Sequence, residues 1–345
     1  MNWNIKVYEE PGILFADRMV DVEEAPFAEV EELMKPGVEQ ERVLLAVLNN
    51  TENDEPPLLC PASESVDEPF EELAEKLTGM LSEGQIFAAA SMADGALKGA
   101  HGQDVEVRLL VASIFEHVGF WDFALPVLQS VENKMEDELR QAAIQIRIAR
   151  ALRKNGATED VSARIDKALE YAELPPVLRV EGLLLKAMGS KPEEGIEILD
   201  ELLDYAEEHL GDHRLVADAL ELNADFLSVS EPAKAEHFFH AAGKMLAEMG
   251  DPYFFSMNER FVMHLLRNQE YEKTVHLSHE MFELLKQAGG PPIASVPYFV
   301  FASRAHAALG DVERSEFATK TARDIHEVEA KRLEQMVDEI LAQKV

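Results

Sequence analysis

Basic residues and cysteine are both scarce in this chain. Of 345 residues only 32 are Lys or Arg, against 66 Asp or Glu, which gives a net charge of −34. A field of that sign repels phosphate backbones, so neither a nucleic acid nor an anionic membrane is an expected partner. The single cysteine, Cys60, lies in a Pro-rich stretch. It excludes an intramolecular disulfide framework, and no His or Asp is spaced around it as a catalytic partner. No apolar run reaches the roughly 18 residues that a membrane-spanning helix needs. Met1-Asn2-Trp3-Asn4-Ile5-Lys6 lacks a charged start leading into an apolar core, so no signal peptide is expected and the expected location is cytoplasmic. The chain also lacks GxxxxGK[ST], GxGxxG after a strand, GxSxG and HExxH. Without a phosphate cradle, a nucleophile elbow or a zinc-binding helix, no cofactor and no enzymatic activity are expected.

What is present is a recurring phrase. A helix-forming stretch ends at a turn residue, an aromatic or branched residue follows, and small and apolar residues then return three or four apart. The clearest copies turn at Gly84, Gly119 and Gly156, and weaker ones at Gly189, Ser230, Gln269 and Gly310. The period is 33 to 41 residues, enough for two helices. A two-helix unit cannot bury its apolar faces alone, so copies must stack. Stacking also lets 345 residues fold without one oversized core.

The phrase resembles the tetratricopeptide repeat over roughly residues 70–325. The match rests on small residues at helix-crossing positions (Ala89, Ala124, Ala235), on Ile86, Trp121, Tyr271 and Val312 after the turns, and on Ala96, Ala168, Ala242 and Ala322 in the second helices. An alanine lets two helices approach where a larger residue would hold them apart. The repeat at Gly156 departs from the pattern, with Ala157-Thr158-Glu159 where an aromatic is expected. The resemblance implies an all-α, right-handed solenoid of about seven helix pairs whose first helices line a concave groove. It also implies a protein- or peptide-binding adaptor or scaffold. The alternative is a regulatory peptide sensor whose superhelix changes on ligand binding and releases an effector.

Around the repeats the expected organisation is an N-terminal segment at 1–49, an acidic Pro-rich linker at 50–69, the repeats at 70–325 and a C-terminal helix at 326–345. In the first segment Ile13-Leu14-Phe15 and Val43 to Leu48 suit short strands, and Phe27, Val30, Leu33 and Met34 have helical spacing. A small β-containing cap and an extended segment lying on the repeats both fit. The acidic stretches 21–32 and 52–68 could occupy a basic groove. The C-terminal helix is amphipathic through Ile325, Val328, Met336, Val337, Ile340 and Leu341, which suits a cap or a homodimer contact.

In so acidic a chain the basic residues of the first helices stand out. Arg147, Arg150, Arg153 and Lys154 share one helix face, Arg179 and Lys186 follow one heptad apart, and Arg260, Arg267 and Arg304 lie on later first helices. These nine are the expected partner-binding residues. Guanidinium groups pair bidentately with carboxylates, so the expected partner is a protein or peptide that is acidic or offers a free C-terminus. Pairing with acidic neighbours in adjacent repeats is the competing role. His276 and His279 share a helix face, but no Cys pair or fixed acid completes a metal site, and no metal is expected. The late aromatics, from Phe238-Phe239 to Phe301, are expected mainly between helices.

Overall fold

The computed structural model describes residues 2–10, 13–22, 26, 28–30, 32–34, 45–50, 58–60, 63–135, 137–157 and 160–342. They form two compact units, 1–174 and 175–345.

Unit 1 begins with a sheet of β1 (Asn2–Glu10), β2 (Ile13–Asp21), β3 (Leu45–Asn50) and β4 (Leu58–Cys60). The strand order is β2-β1-β3-β4 and each neighbouring pair is antiparallel. Side chains on a strand alternate between faces. Trp3, Ile5 and Val7 of β1 therefore pack with Ala46, Leu48 and Val30 in one buried cluster. On the other face Leu45, Val47 and Leu59 join the helical core around Leu73, Leu77 and Ala89. Burial on both faces explains why β3 reads as a continuous apolar run. The N-terminal segment thus has the β-containing form of the two that its sequence allows, with helical residues at 28–30 and 32–34. Val43, Leu44 and Phe27 lie outside the described residues.

The stretch expected to be a linker holds β4 and, at 63–69, an extended strap on the first helix pair. The Val66 N–H donates to the Gly95 carbonyl at 3.1 Å, and the Ala100 N–H donates to Asp67 Oδ1 at 2.7 Å. A Cβ at residue 95 would run into the Glu64 carbonyl oxygen. Acidic, Pro-rich composition suggested a solvated spacer, but the chain buries Leu59 and packs Val66 against the helical core there. The strap lies on a second helix of a pair, not on a first.

Fourteen α-helices follow as seven successive pairs. Unit 1 holds α1 (Phe70–Ser82) with α2 (Ile86–Lys98), α3 (Val105–His117) with α4 (Trp121–Glu132), and α5 (Glu138–Lys154) with α6 (Val161–Leu169). Unit 2 holds α7 (Pro176–Gly189) with α8 (Pro192–His209), α9 (Arg214–Leu227) with α10 (Pro232–Met249), α11 (Tyr253–Arg267) with α12 (Tyr271–Gln287), and α13 (Val296–Ala308) with α14 (Val312–Ala342). The last helix runs unbroken through residue 326, the boundary expected between the repeats and the C-terminal helix.

Five of the seven turns within pairs use one device. Gly84, Gly119, Gly156, Gln269 and Gly310 have positive φ. The next residue donates its N–H back to the last turn of the first helix, as Phe120 does to the Phe115 carbonyl at 2.8 Å and Glu270 to Leu265 at 2.9 Å. This closes otherwise unpaired helix carbonyls. The crossing alanines predicted from spacing are buried: Ala89, Ala124, Ala168, Ala235 and Ala242 are at 0% exposure.

Candidate site on the first helices

The first helices are buried to different extents, and the helix Pro176–Gly189 buries six consecutive residues, Val180 to Leu185. In α5 the buried face is Ala142, Ile146, Ala149 and their neighbours. The Asp137 carboxylate accepts the Arg140 N–H at 2.7 Å and fixes the helix start. Arg147 reaches back to α3. Its Nη2 lies 2.6 Å from Glu116 Oε2, its Nε lies 3.1 Å from both carboxylate oxygens, and Nη2 also meets Ser113 Oγ at 3.0 Å. Arg140 likewise reaches Glu106 at 2.5 Å. Arg150 and Arg153 are half-buried and each has an interaction partner. Burial pulls the Arg153 guanidinium below its ordinary range. Lys154, at the helix end, is exposed.

The other predicted binding residues lie in unit 2. Arg179 and Lys186 are half-buried on α7, both with interaction partners, and Arg179 Cζ sits 5.7 Å from the Tyr205 ring centroid. Arg267 on α11 and Arg304 on α13 are exposed. Arg260 on α11 is bound to two carboxylates of α9, with Nη1 2.7 Å from Glu221 Oε1 and Nη2 on Asp225. The predicted set is therefore divided, with four residues on α5 of unit 1 and five on α7, α11 and α13 of unit 2. Arg147 and Arg260 form ion pairs with acids of the adjacent repeat.

Around Arg260 the structure assembles a cluster that the sequence did not single out. The Tyr253 hydroxyl donates to Glu221 Oε2 at 3.1 Å. Arg214 bonds Asp218 and Asp251, each at 2.8 Å, and lies over the Tyr253 ring with Cζ 4.1 Å from the centroid. Glu221 is 4% exposed. Burial pushes its carboxyl above the ordinary range, and Arg260 only partly offsets this. Asp225 moves the same way, by burial against the pull of Arg260. Burial and the Glu221 charge raise the Tyr253 phenol. Asp251 is held low by the Tyr253 N–H and by Arg214. One buried and one half-buried carboxylate thus share one guanidinium. Clusters of displaced titratable groups mark functional sites more often than chance would place them there.

The late aromatics do pack between helices. Phe239 stacks on Phe261 at 5.4 Å, and the buried Tyr298 donates its hydroxyl to the Phe255 carbonyl at 2.7 Å. His264 is buried beside Phe239, and burial lowers its imidazole from the ordinary 6.5. His276 and His279 are exposed. Among the described residues no group of three His, Cys, Asp or Glu is placed to hold a metal. No helix of the described chain is long and apolar enough to cross a membrane.

No family model matches the chain, and no curated protein matches its sequence. Solved structures do. A tetratricopeptide repeat protein from Parabacteroides merdae is 14% identical, with 79% of this chain and 97% of that one covered and a TM-score of 0.46. BtubC from P. vanneervenii is 13% identical over 67% and 92%, with a TM-score of 0.48. A Rap protein complexed with competence and sporulation factor is 13% identical over 76% and 99%, with a TM-score of 0.42. By its own successive helix pairs, recurring turn geometry and buried crossing alanines, the chain is a helical repeat protein.

Proposed function

We propose that this chain is a non-catalytic scaffold that binds a basic segment of a protein or peptide on the first helices of unit 2. The carrying observation is the sharing of Arg260 by Glu221 and Asp225. Both carboxyls sit above their ordinary range because burial outweighs the help of one guanidinium. A Lys or Arg side chain from a partner supplies the missing cation, and the net charge of −34 speeds its encounter. The acidic partner expected from the basic residues of the first helices would have to displace carboxylates already on Arg147 and Arg260. For such a partner the exposed cations are Lys154, Arg267 and Arg304.

The test is fluorescence anisotropy with labelled 12-residue peptides of matched hydropathy carrying Lys or Glu. Lys peptides are expected to bind, and Glu221→Gln with Asp225→Asn to weaken them about tenfold, the loss of roughly one charge-assisted contact. Preference for Glu peptides, or indifference to the double variant, would sink the proposal. Small-angle scattering with and without bound peptide separates the two finer readings. A ligand-dependent radius of gyration marks a sensor, and an unchanged one marks an adaptor.

A further inference from the structure

Second helices of neighbouring pairs flank the first helix between them, and polar bridges tie some of them together. Between α4 and α6, Arg164 Nη1 meets Glu132 Oε1 at 2.9 Å. Between α10 and α12, Lys273, the third residue of α12, meets Glu236, the fifth residue of α10, at 2.7 Å. Between α8 and α10 the fifth residue is Ile196, packed against the core of unit 2. The last interval repeats the cation without the acid. Arg314 is the third residue of α14, and the fifth residue of α12 is Val275. Among the described residues Arg314 bridges to no acid of α12. It lies 3.5 Å from Asp311 at the start of its own helix, with its side chain 72% exposed.

Where the bridge is missing, a cavity of about 290 Å³ opens between α12, α13 and α14, lined by both Val275 and Arg314. Its walls are apolar and aromatic. Phe282 and Phe299 pack with ring centroids 4.9 Å apart, and Ala302 and Ala318 leave the space between them. Phe317 stands at the surface, 69% exposed. Ser278 is 2% exposed, lines the cavity, and its hydroxyl has no hydrogen-bond partner. The volume sits at the lower end of small-molecule sites, which run from about 300 to 1,000 Å³.

We infer that this cavity binds a small monocarboxylic acid with an aliphatic or aromatic body, its apolar part between Phe282, Phe299 and Ala302 and its carboxylate on Arg314. The ligand carboxylate gives Arg314 the charge-assisted pairing that Glu236 gives Lys273 one repeat earlier. The acidic field of the chain does not preclude this, because exposed charges beyond about 10 Å are largely screened at 0.1 M salt. The site lies apart from the Arg260 cluster and stands or falls independently of it.

Isothermal titration of the full chain with octanoate, octanol and octylamine at 0.1 M salt tests the inference. Octanoate is expected to bind at least tenfold tighter than octylamine. Arg314→Gln, a surface change, is expected to weaken octanoate about tenfold and to leave octanol unchanged. Ala302→Phe, which fills the cavity, is expected to abolish both, with circular dichroism confirming the fold. No binding of octanoate to the unaltered chain overturns the proposal, as does binding that survives Ala302→Phe. Equal octanoate affinity in Arg314→Gln overturns the carboxylate contact. A peptide ending in Leu that binds tenfold tighter than octanoate, with the same variant dependence, overturns the free acid as the ligand.

Discussion

Arg147 holds Glu116 across 31 residues of sequence, with Nη2 2.6 Å from Oε2 and both side chains largely buried at 19% and 10% exposure. The pair ties α5 to α3, first helix to first helix. Removing the guanidinium leaves Glu116 desolvated and unpaired. Arg147→Ala is expected to cost about 2 kcal/mol in urea unfolding, below the figure for a fully buried pair. Exchanging the two residues, Arg147→Glu with Glu116→Arg, is expected to recover most of that loss. Lys154→Glu, at an exposed helix end, is expected to change stability by less than about 0.5 kcal/mol. A large loss at Lys154 with none at Arg147 would reverse the assignment of bridge and free cation.

The cluster on α9 and α11 gives a pH dependence of definite sign. Glu221 and Asp225 have folded-state values above the ordinary 4.5 and 3.8, because burial outweighs Arg260. In that window the folded state binds more protons than the unfolded one, so these groups add stability as pH falls and lose it as pH rises. Asp251, held low, works in the opposite direction and at lower pH. Between pH 7 and pH 5, amide exchange in α9 should slow in the unaltered chain relative to Glu221→Gln/Asp225→Asn. An identical pH response in both would remove the two carboxyls as its source.

Gln269 occupies a turn position where four sister turns use glycine, with φ of 63°. A side chain there carries roughly 1 kcal/mol of backbone strain that glycine avoids. Gln269→Gly should stabilise unit 2 by a few tenths to about 1 kcal/mol. Gly119→Ala, at φ 79°, should destabilise unit 1 by about 1 kcal/mol. Thermal unfolding of the two variants should move in opposite directions.

The crossing alanines set helix spacing. Ala124 and Ala235 are fully buried, and enlarging either forces neighbouring side chains off their rotamers. Ala124→Leu and Ala235→Leu should each cost about 1–3 kcal/mol. A neutral outcome at both would mean that the crossings have slack that the packing does not show.

The helix pairs were legible in sequence because turn residues and crossing alanines are local signals that recur along the chain. Three features were not. The strand Leu58–Cys60 is three residues long and is specified by pairing with Ala46 to Leu48, which no window around it contains. The strap at Val66 is held by a hydrogen bond to Gly95, and its acidic composition pointed the other way. Arg147, Arg150 and Arg153 all lie on α5, but sequence spacing within α5 is blind to Glu116 on α3. A search for acid–base pairs one repeat apart would have found Glu106–Arg140, Glu116–Arg147 and Asp225–Arg260, 34, 31 and 35 residues apart.

These bridges also have a direction. Glu106, Glu116, Glu132, Glu221 and Glu236 each precede the cation they bind, and Arg214–Asp251 runs the other way. A chain is made from its N-terminus, and domains fold as they emerge. Most of these pairs therefore leave the ribosome acid first, and for Glu116 or Glu236 the neutralising cation comes 31 or 37 residues later. Until then each of these acids is without the partner it has in the folded chain.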